Sequence, residues 1–266
     1  MPKLSLSKAW DESRIFLPRD AKLYASIALA FIVLPSTIFG TIAPAALAGN
    51  TEPTATTGVM VLIVSIIGLV GRIAIANLAL KPAAVSEAIR TAAKSTPAAV
   101  LAFCIFFLPI VLLLSPFVPA VMASPENPPS GPLLASTAIA IAAFIIGVRL
   151  ALLIIPIAAA ERQGPLAMLK SSWQLSSGNW WRLTIFLLVF SIASYIAARA
   201  VGFAIGGALI LLVGPLAPYS LSALIFALIL SLVGAAFTSL FSVMLARIYV
   251  QLSSGQPTVP EVKREA

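Results

Sequence analysis

Six apolar runs dominate this sequence, and each is long enough to cross a lipid bilayer as a helix. They cover residues 22–48, 57–80, 97–119, 133–160, 183–212 and 219–250. A spanning helix needs about 20 mostly apolar residues, because the hydrocarbon core offers the backbone no water to bond. Charged residues make up 10% of the chain, whereas a soluble domain carries about 25%. The sequence therefore predicts an all-α polytopic membrane bundle with six transmembrane helices.

The cations fall in alternate connections between these runs. Of the 17 Lys and Arg residues, three lie deep inside the runs and fourteen lie between the runs or at their ends, while the loops at 50–58, 124–132 and 214–220 hold none. Cations that flank spans stay in the cytoplasm, so both termini are expected there. Anionic lipid headgroups are the expected partners, at about 1 kcal/mol per surface cation. No nucleic-acid partner is expected, because the cations lie in short clusters between apolar runs and do not form a basic face on a soluble domain.

The first run ends in Ala46-Leu47-Ala48, which fits a signal-peptidase site. Its apolar stretch of about 26 residues and its polar lead of about 20 are both long. A signal peptide has an apolar core of about 7–15 residues. We therefore expect an uncleaved span.

The segment before the fifth run predicts a short amphipathic helix. Pro165 suits a first helical position, and Gly178 suits the left-handed end of a helix. One face is predicted to carry Leu166, Leu169 and Trp173, and the opposite face Lys170, Ser171 and Gln174. This helix is too short and too polar to span, so we expect it in the cytoplasmic interface.

Tryptophan and arginine mark the same level of the membrane. The candidate interfacial anchors are Trp10, Trp173, Trp180, Trp181 and Arg182. Amphipathic rings prefer the headgroup region, where one side is apolar and the other is wet. Asn179 is expected to cap the helix that follows it.

The chain divides into three similar units near 5–80, 82–160 and 165–250. Short helices predicted at 4–10, where Leu6, Ala9 and Trp10 meet, and over 82–97 each precede a pair of runs. SKAW, SEAI and KSSW align between units, as do GRIAIA (71–76) and VRLALL (148–153). This layout predicts a threefold hairpin repeat. The expected organisation is a cytoplasmic segment at 1–21, a membrane domain at 22–250 and a flexible cytoplasmic tail at 251–266.

The run AAAERQGPLAMLKSSWQLSSGNWWRL (158–183) resembles a pattern in a bacterial inner-membrane family. That family is described as the membrane domain of glycerophosphoryl diester phosphodiesterase, and it includes six-span proteins of unassigned function. The resemblance implies a helical bundle in the bacterial inner membrane. In such diesterases a separate soluble barrel with histidine and a divalent metal does the chemistry. This chain has no histidine, so we do not expect a hydrolase.

Groups suited to catalysis are sparse in the predicted spans. They contain none of the nine acids and a single thiol, Cys104. These residues supply no nucleophile–base pair and no metal-ligand set. We therefore predict no catalytic residue, no metal site and no cofactor.

Arg72 and Arg149 are the candidate anion or lipid ligands, because both lie inside spans, towards the cytoplasm. An unpaired cation at the bilayer centre costs about 2.5–3.5 kcal/mol. Their side chains could snorkel to the interface or cap backbone carbonyls. Alternatively, both could face one cytoplasmic cavity and bind a phosphate, a headgroup or a carboxylate. Arg199, near the outer leaflet, is expected only to anchor.

Gly202 and Gly206 form a small-xxx-small pattern that favours close helix packing. Packing within the bundle is the first interpretation and self-association the alternative, so the oligomeric state stays open.

The first functional hypothesis is a non-catalytic inner-membrane protein that engages anionic lipid or a membrane protein partner. The alternative is a channel or facilitator for a small anionic solute, and a membrane-embedded enzyme ranks third. A continuous polar cavity would favour transport, and an apolar interior would favour the first hypothesis.

Overall fold

The computed structural model describes residues 4–44, 54–123, 129–161 and 163–254. All regular secondary structure in these ranges is helical. Six helices are long and apolar enough to cross a membrane, and we number them as the first to sixth spans: Ala21–Ile42, Ala55–Leu80, Val85–Leu114, Ser130–Ala160, Trp180–Leu212 and Leu221–Ser253. The protein is therefore a multi-pass membrane protein with an all-α bundle, as predicted. Residues 46–48, on which the expectation of an uncleaved span bears, and most of the tail lie outside the described residues.

Three shorter features complete the helical structure. Helix α1, Leu6–Arg19, precedes the first span, and helix α2, Pro165–Ser176, precedes the fifth. A short helix, Val118–Met122, follows the third span. The first span contains a π-helical turn at Leu29–Val33.

The third span corrects one prediction, because no separate helix forms over 82–97. A single helix runs from Val85 to Leu114 and contains Pro97. One stripe of its buried residues continues past the proline: Ala88, Ala92, Ser95, Ala99, Ala102 and Phe106. This stripe packs against the second and fourth spans. Proline is tolerated inside membrane helices, so continuous packing overrides the expected boundary.

The fourth span is broken where the sequence predicted a continuous helix. A turn separates Ser130–Leu150 from Ile154–Ala160. The fifth span, by contrast, stays helical through Gly206 and its neighbouring glycine.

The cation-rich connections meet at one end of the bundle, which we call the cation-bearing end. The backbone N–H of Ser5 donates to Oε1 of Gln251 at 3.1 Å, and Lys81 Nζ lies 3.5 Å from the Ala160 carbonyl oxygen. Near the opposite end of the first and sixth spans, the N–H of Tyr219 donates to the Thr41 carbonyl at 2.9 Å. The helices therefore alternate in direction as the charge pattern predicted. Which end faces the cytoplasm stays a prediction.

The tightest packing lies towards the cation-bearing end. Residues 73–79, 152–159 and 242–246 are buried without interruption. A helix that is buried on all sides must be surrounded by other helices. The ends of the second, fourth and sixth spans thus form the rigid core on which the candidate sites are built.

Candidate functional site

Helix α2 begins and ends as the sequence predicts, and it packs on the bundle through a face that the sequence did not single out. It starts at Pro165 and stops before Gly178, whose φ of 81° is the left-handed conformation that glycine favours. Its buried residues are Met168, Leu169, Ser172, Leu175 and Ser176. Of the predicted apolar face, Leu169 is buried, whereas Leu166 and Trp173 are 68% and 39% exposed. They lie at the protein surface, where a membrane would meet them.

Two serines explain this orientation, because they bond the fourth span beside its break. The hydroxyl of Ser172 donates to the Arg149 carbonyl at 2.9 Å, and that of Ser176 donates to the same oxygen at 3.3 Å. A helix break leaves carbonyls without their usual partners, and a buried polar group without a partner is costly. The serines supply the donors, so they face inward.

The side chain of Arg149 packs against the same helix. Its guanidinium carbon lies 3.7 Å from the centroid of the Trp173 ring. Cations are attracted to the negative face of an indole ring. The Nε atom of Arg149 is buried, and no described residue forms a hydrogen bond with it. Trp173 is therefore both a surface ring and the stacking partner of a span arginine.

Arg72 has different surroundings. Its accessible side chain lines a groove of about 490 Å³ formed with the fifth and sixth spans. The hydroxyl-bearing residues of this groove are Ser191, Ser194, Tyr195 and Thr238. Among the described residues, the Arg72 guanidinium has no hydrogen bond, ion pair or aromatic ring contact. Arg149 does not line this groove, so the two arginines do not share it as the alternative of a common anion cavity required.

Arg247 is a third arginine within a spanning helix, and the sequence analysis did not select it as a candidate ligand. It donates to the Ala79 carbonyl, and its guanidinium carbon lies 3.6 Å from the centroid of the Phe16 ring on α1. A sequence signal existed: ARIYV at 246–250 repeats the arginine and aliphatic pattern of GRIAIA and VRLALL. We had counted Arg247 only as a flanking cation. Two of these three arginines thus stack on rings of α1 and α2.

The predicted helix cap Asn179 and the predicted anchor Arg182 both bond to the N-terminal segment. Asn179 occupies the cap position of the fifth span, but its side chain makes no capping bond to that helix. Its Oδ1 instead accepts from the backbone N–H of Leu4 at 3.1 Å, and Arg182 donates to the Leu4 carbonyl. The expected cap was wrong, because the start of α1 takes this acceptor.

The remaining tryptophans lie near this end and are accessible. Trp180 and Trp181 are 37% and 60% exposed. Trp10, at 44% exposure, lines a largely apolar groove of about 690 Å³ between α1 and the fifth and sixth spans. Ile185, Phe186 and Met244 are among its other lining residues. A groove of this size and composition suits hydrocarbon chains.

The two glycines of the fifth span face the sixth span of the same chain. A Cβ atom added at Gly206 would lie 3.2 Å from Cε2 of Phe226, and one at Gly202 would lie 3.8 Å from Cδ2 of Leu230. Gly206 therefore allows a close approach that a larger residue would obstruct. Both positions support packing within the bundle.

Negative partners for the span arginines are scarce. The ion pairs within the described ranges join Lys8 to Glu12 at 4.0 Å and Arg19 to Asp20 at 3.9 Å. Neither involves Arg72, Arg149 or Arg247. In that part of the chain no three His, Cys, Asp or Glu side chains gather as a metal site would require.

No protein-family model, curated protein or solved structure matches this chain. The family resemblance of residues 158–183 therefore stays a prediction.

Proposed function

We propose that this protein is a non-catalytic lipid-binding protein of the bacterial inner membrane, and that it holds an anionic phospholipid near its cation-bearing end. One observation carries the proposal: the Arg72 guanidinium lines a membrane-embedded groove, and the described residues give it no negative partner. An unpaired cation at membrane depth costs about 2.5–3.5 kcal/mol. A phosphate in the groove would offset that cost with charge-assisted hydrogen bonds.

The lining of the groove favours an amphiphile over a free ion. Phe190, Phe237 and Phe241 supply apolar walls beside the hydroxyl-bearing residues. The fifth span also exposes large apolar side chains, including Leu188 and Ile192. A ligand with both an anionic group and hydrocarbon would match these surfaces, whereas a small inorganic anion would leave the apolar walls uncovered.

The groove beside Trp10 offers a second place for acyl chains. It shares Phe190 and Phe237 with the Arg72 groove. The rings of Phe186, Phe190 and Phe241 stack between the fifth and sixth spans, with the Phe190 and Phe241 centroids 4.9 Å apart. These rings form a shared wall, so lipid chains on its two sides would contact the same pair of helices.

The interior of the bundle supports lipid binding over the alternative of an anion facilitator. Between the second, fourth and sixth spans most buried side chains are apolar and include Ile73, Leu153, Ile157, Val243 and Ile248, with Asn77, Ser239 and Ser242 as the polar exceptions. A transport path would require a polar cavity that continues through this core. We therefore keep transport as the alternative and catalysis as the third hypothesis.

The proposed orientation follows from charge. Cations beside spans remain cytoplasmic, and the cytoplasmic leaflet carries the anionic lipids that would attract them. Arg182 and Lys170 lie at or beside α2 in this arrangement. The proposal thus places both termini, α1 and α2 on the cytoplasmic side.

Native mass spectrometry of the purified full chain with phosphatidylglycerol tests the proposal. Arg72→Gln should weaken retention of one lipid about tenfold, because it removes a charge-assisted contact worth about 1.4 kcal/mol or more. Arg72→Lys should retain binding in part, which separates charge loss from misfolding. The matched control is Arg90→Gln, which removes an exposed cation from the start of the third span and should change retention less than about twofold.

Equal lipid retention by wild type and a folded Arg72→Gln variant would overturn the proposal. Flux assays in liposomes address the alternative. Anion flux through the wild type that Arg72→Gln abolishes would favour a facilitator.

A further inference from the structure

A second, smaller cavity lies where the second and fourth spans end. It encloses about 260 Å³ and is lined by Asn77, Lys81, Glu87, Thr91 and residues 158–161, among others. At about 30 Å³ per water in the liquid, it has room for about eight waters or for a small organic group. None of its lining residues belongs to the Arg72 groove.

The local field in this cavity is negative, although it lies at the cation-bearing end. The second span ends at Leu80 and the fourth ends at Ala160, so carbonyl ends of both helices meet there. Such ends carry partial negative charge. The carboxylates of Glu87 and Glu161 add to it, and Lys81 is the cation among the described lining residues. The cavity therefore favours a positively charged group.

Asn77 provides an acceptor in the cavity wall. The residue is 6% exposed, and its Nδ2 donates to the Ala159 carbonyl at 2.7 Å. That bond fixes the amide and leaves Oδ1 with no hydrogen-bond partner among the described residues. This oxygen is not among the buried unpartnered atoms, so it is accessible in the cavity that Asn77 lines. A donor inside the cavity could bond to it.

Lys81 shows which kind of donor these acceptors suit. Its Nζ lies 3.5 Å from the Ala160 carbonyl oxygen, at the edge of the cavity. A primary ammonium group carries three donors and no acceptor. The Asn77 oxygen and the Thr91 hydroxyl could receive such donors. So could the Glu161 carboxylate, whose Oε2 already accepts from Nε2 of Gln163.

We propose that this cavity binds a primary ammonium group, carried either by a small free amine or by an ethanolamine headgroup. The site does not use Arg72, so it is independent of the anion site proposed above. Glu161 would supply the opposite charge, and Asn77 and Thr91 would orient the N–H donors.

Titration calorimetry of the detergent-purified full chain with ethanolamine tests the site. Wild type should bind ethanolamine and should bind choline about tenfold more weakly, because choline has no N–H to donate. Glu161→Gln should weaken ethanolamine binding about tenfold, and Thr91→Val should weaken it by a smaller factor. The matched control is Glu12→Gln, which removes a carboxylate on α1 outside this cavity and should change the affinity less than about twofold.

Reconstitution separates the two sources of the ammonium group. If phosphatidylethanolamine nanodiscs abolish ethanolamine binding and phosphatidylglycerol nanodiscs do not, the lipid headgroup is the occupant. If binding persists in both, the ligand is a free amine.

The proposal is overturned if the wild type binds ethanolamine with no measurable Kd below about 10 mM. It is also overturned if choline binds as well as ethanolamine, or if Glu12→Gln and Glu161→Gln have equal effects. Arg72→Gln should leave ethanolamine binding intact. The ammonium site and the anion site can therefore be disproved independently of each other.

Discussion

The guanidinium of Arg149 lies over the indole ring of Trp173, with 3.7 Å between its central carbon and the ring centroid. Arg247 lies over Phe16 in the same manner, at 3.6 Å. In both pairs the arginine belongs to a spanning helix and the ring to a short amphipathic helix. Arginine–ring stacking therefore helps to fasten α1 and α2 to the bundle.

A double-mutant cycle should measure this stacking. Arg149→Gln and Trp173→Leu should show a coupling energy of about 0.5–2 kcal/mol, as expected for a partly desolvated cation over an aromatic ring. Denaturant titration in detergent micelles provides the unfolding free energies. The control cycle pairs Arg149→Gln with Trp181→Leu, whose ring packs on Trp180 instead. Equal coupling in the two cycles would show that the stacking contributes nothing specific.

The serine bonds to the Arg149 carbonyl should compensate for one another. Ser172→Ala alone leaves the Ser176 hydroxyl in place, so it should cost less than the double change. Ser172→Ala with Ser176→Ala should lower the unfolding free energy by about 1–3 kcal/mol, because a carbonyl beside the helix break then loses both side-chain donors. The same titration measures this loss. A double variant as stable as wild type would mean that another donor, such as water, satisfies the carbonyl.

Close packing at Gly206 should tolerate no large side chain. Gly206→Leu should destabilise the protein by about 1–3 kcal/mol, because its Cβ already meets the Phe226 ring. The matched control, Gly207→Leu, places the same side chain where no atom lies within 4 Å of the new Cβ. Light scattering on both variants tests the alternative. A change of oligomeric state with unchanged stability would assign Gly206 to self-association.

The sequence predicted the architecture well because long apolar runs carry a strong signal. Six such runs became six helices, and Pro165 and Gly178 correctly marked the beginning and end of α2. These features depend on local chemistry alone. Bilayer thickness sets the run length, and the backbone preferences of proline and glycine set the helix boundaries.

The failures came from contacts between distant segments. The sequence assigned Ser172 to neither face of α2, but this residue lies inward, since the break in the fourth span offers it a carbonyl. Asn179 was expected to cap its own helix, but the start of α1 takes its side chain. The cavity beside Asn77 forms where the ends of the second and fourth spans come together, and no local sequence pattern predicts that contact.

Cysteine labelling should establish the membrane orientation. In a Cys104→Ser background, Tyr219→Cys should react with an impermeant maleimide in intact cells, because its loop lies at the end opposite to α2. Gln174→Cys, on α2, should react only after permeabilisation. Labelling of Gln174→Cys from outside would invert the proposed orientation.

Photo-crosslinking tests the proposed lipid site most directly. A phosphatidylglycerol with a diazirine in its acyl chain would be incorporated into nanodiscs with the full chain, and the modified peptides would be mapped. We predict that cross-links concentrate at residues 187–198 and 233–241, which border the Arg72 groove, and that Arg72→Gln reduces them selectively. An even distribution of cross-links over the exposed faces of all six spans, unchanged by Arg72→Gln, would contradict specific binding of an anionic lipid.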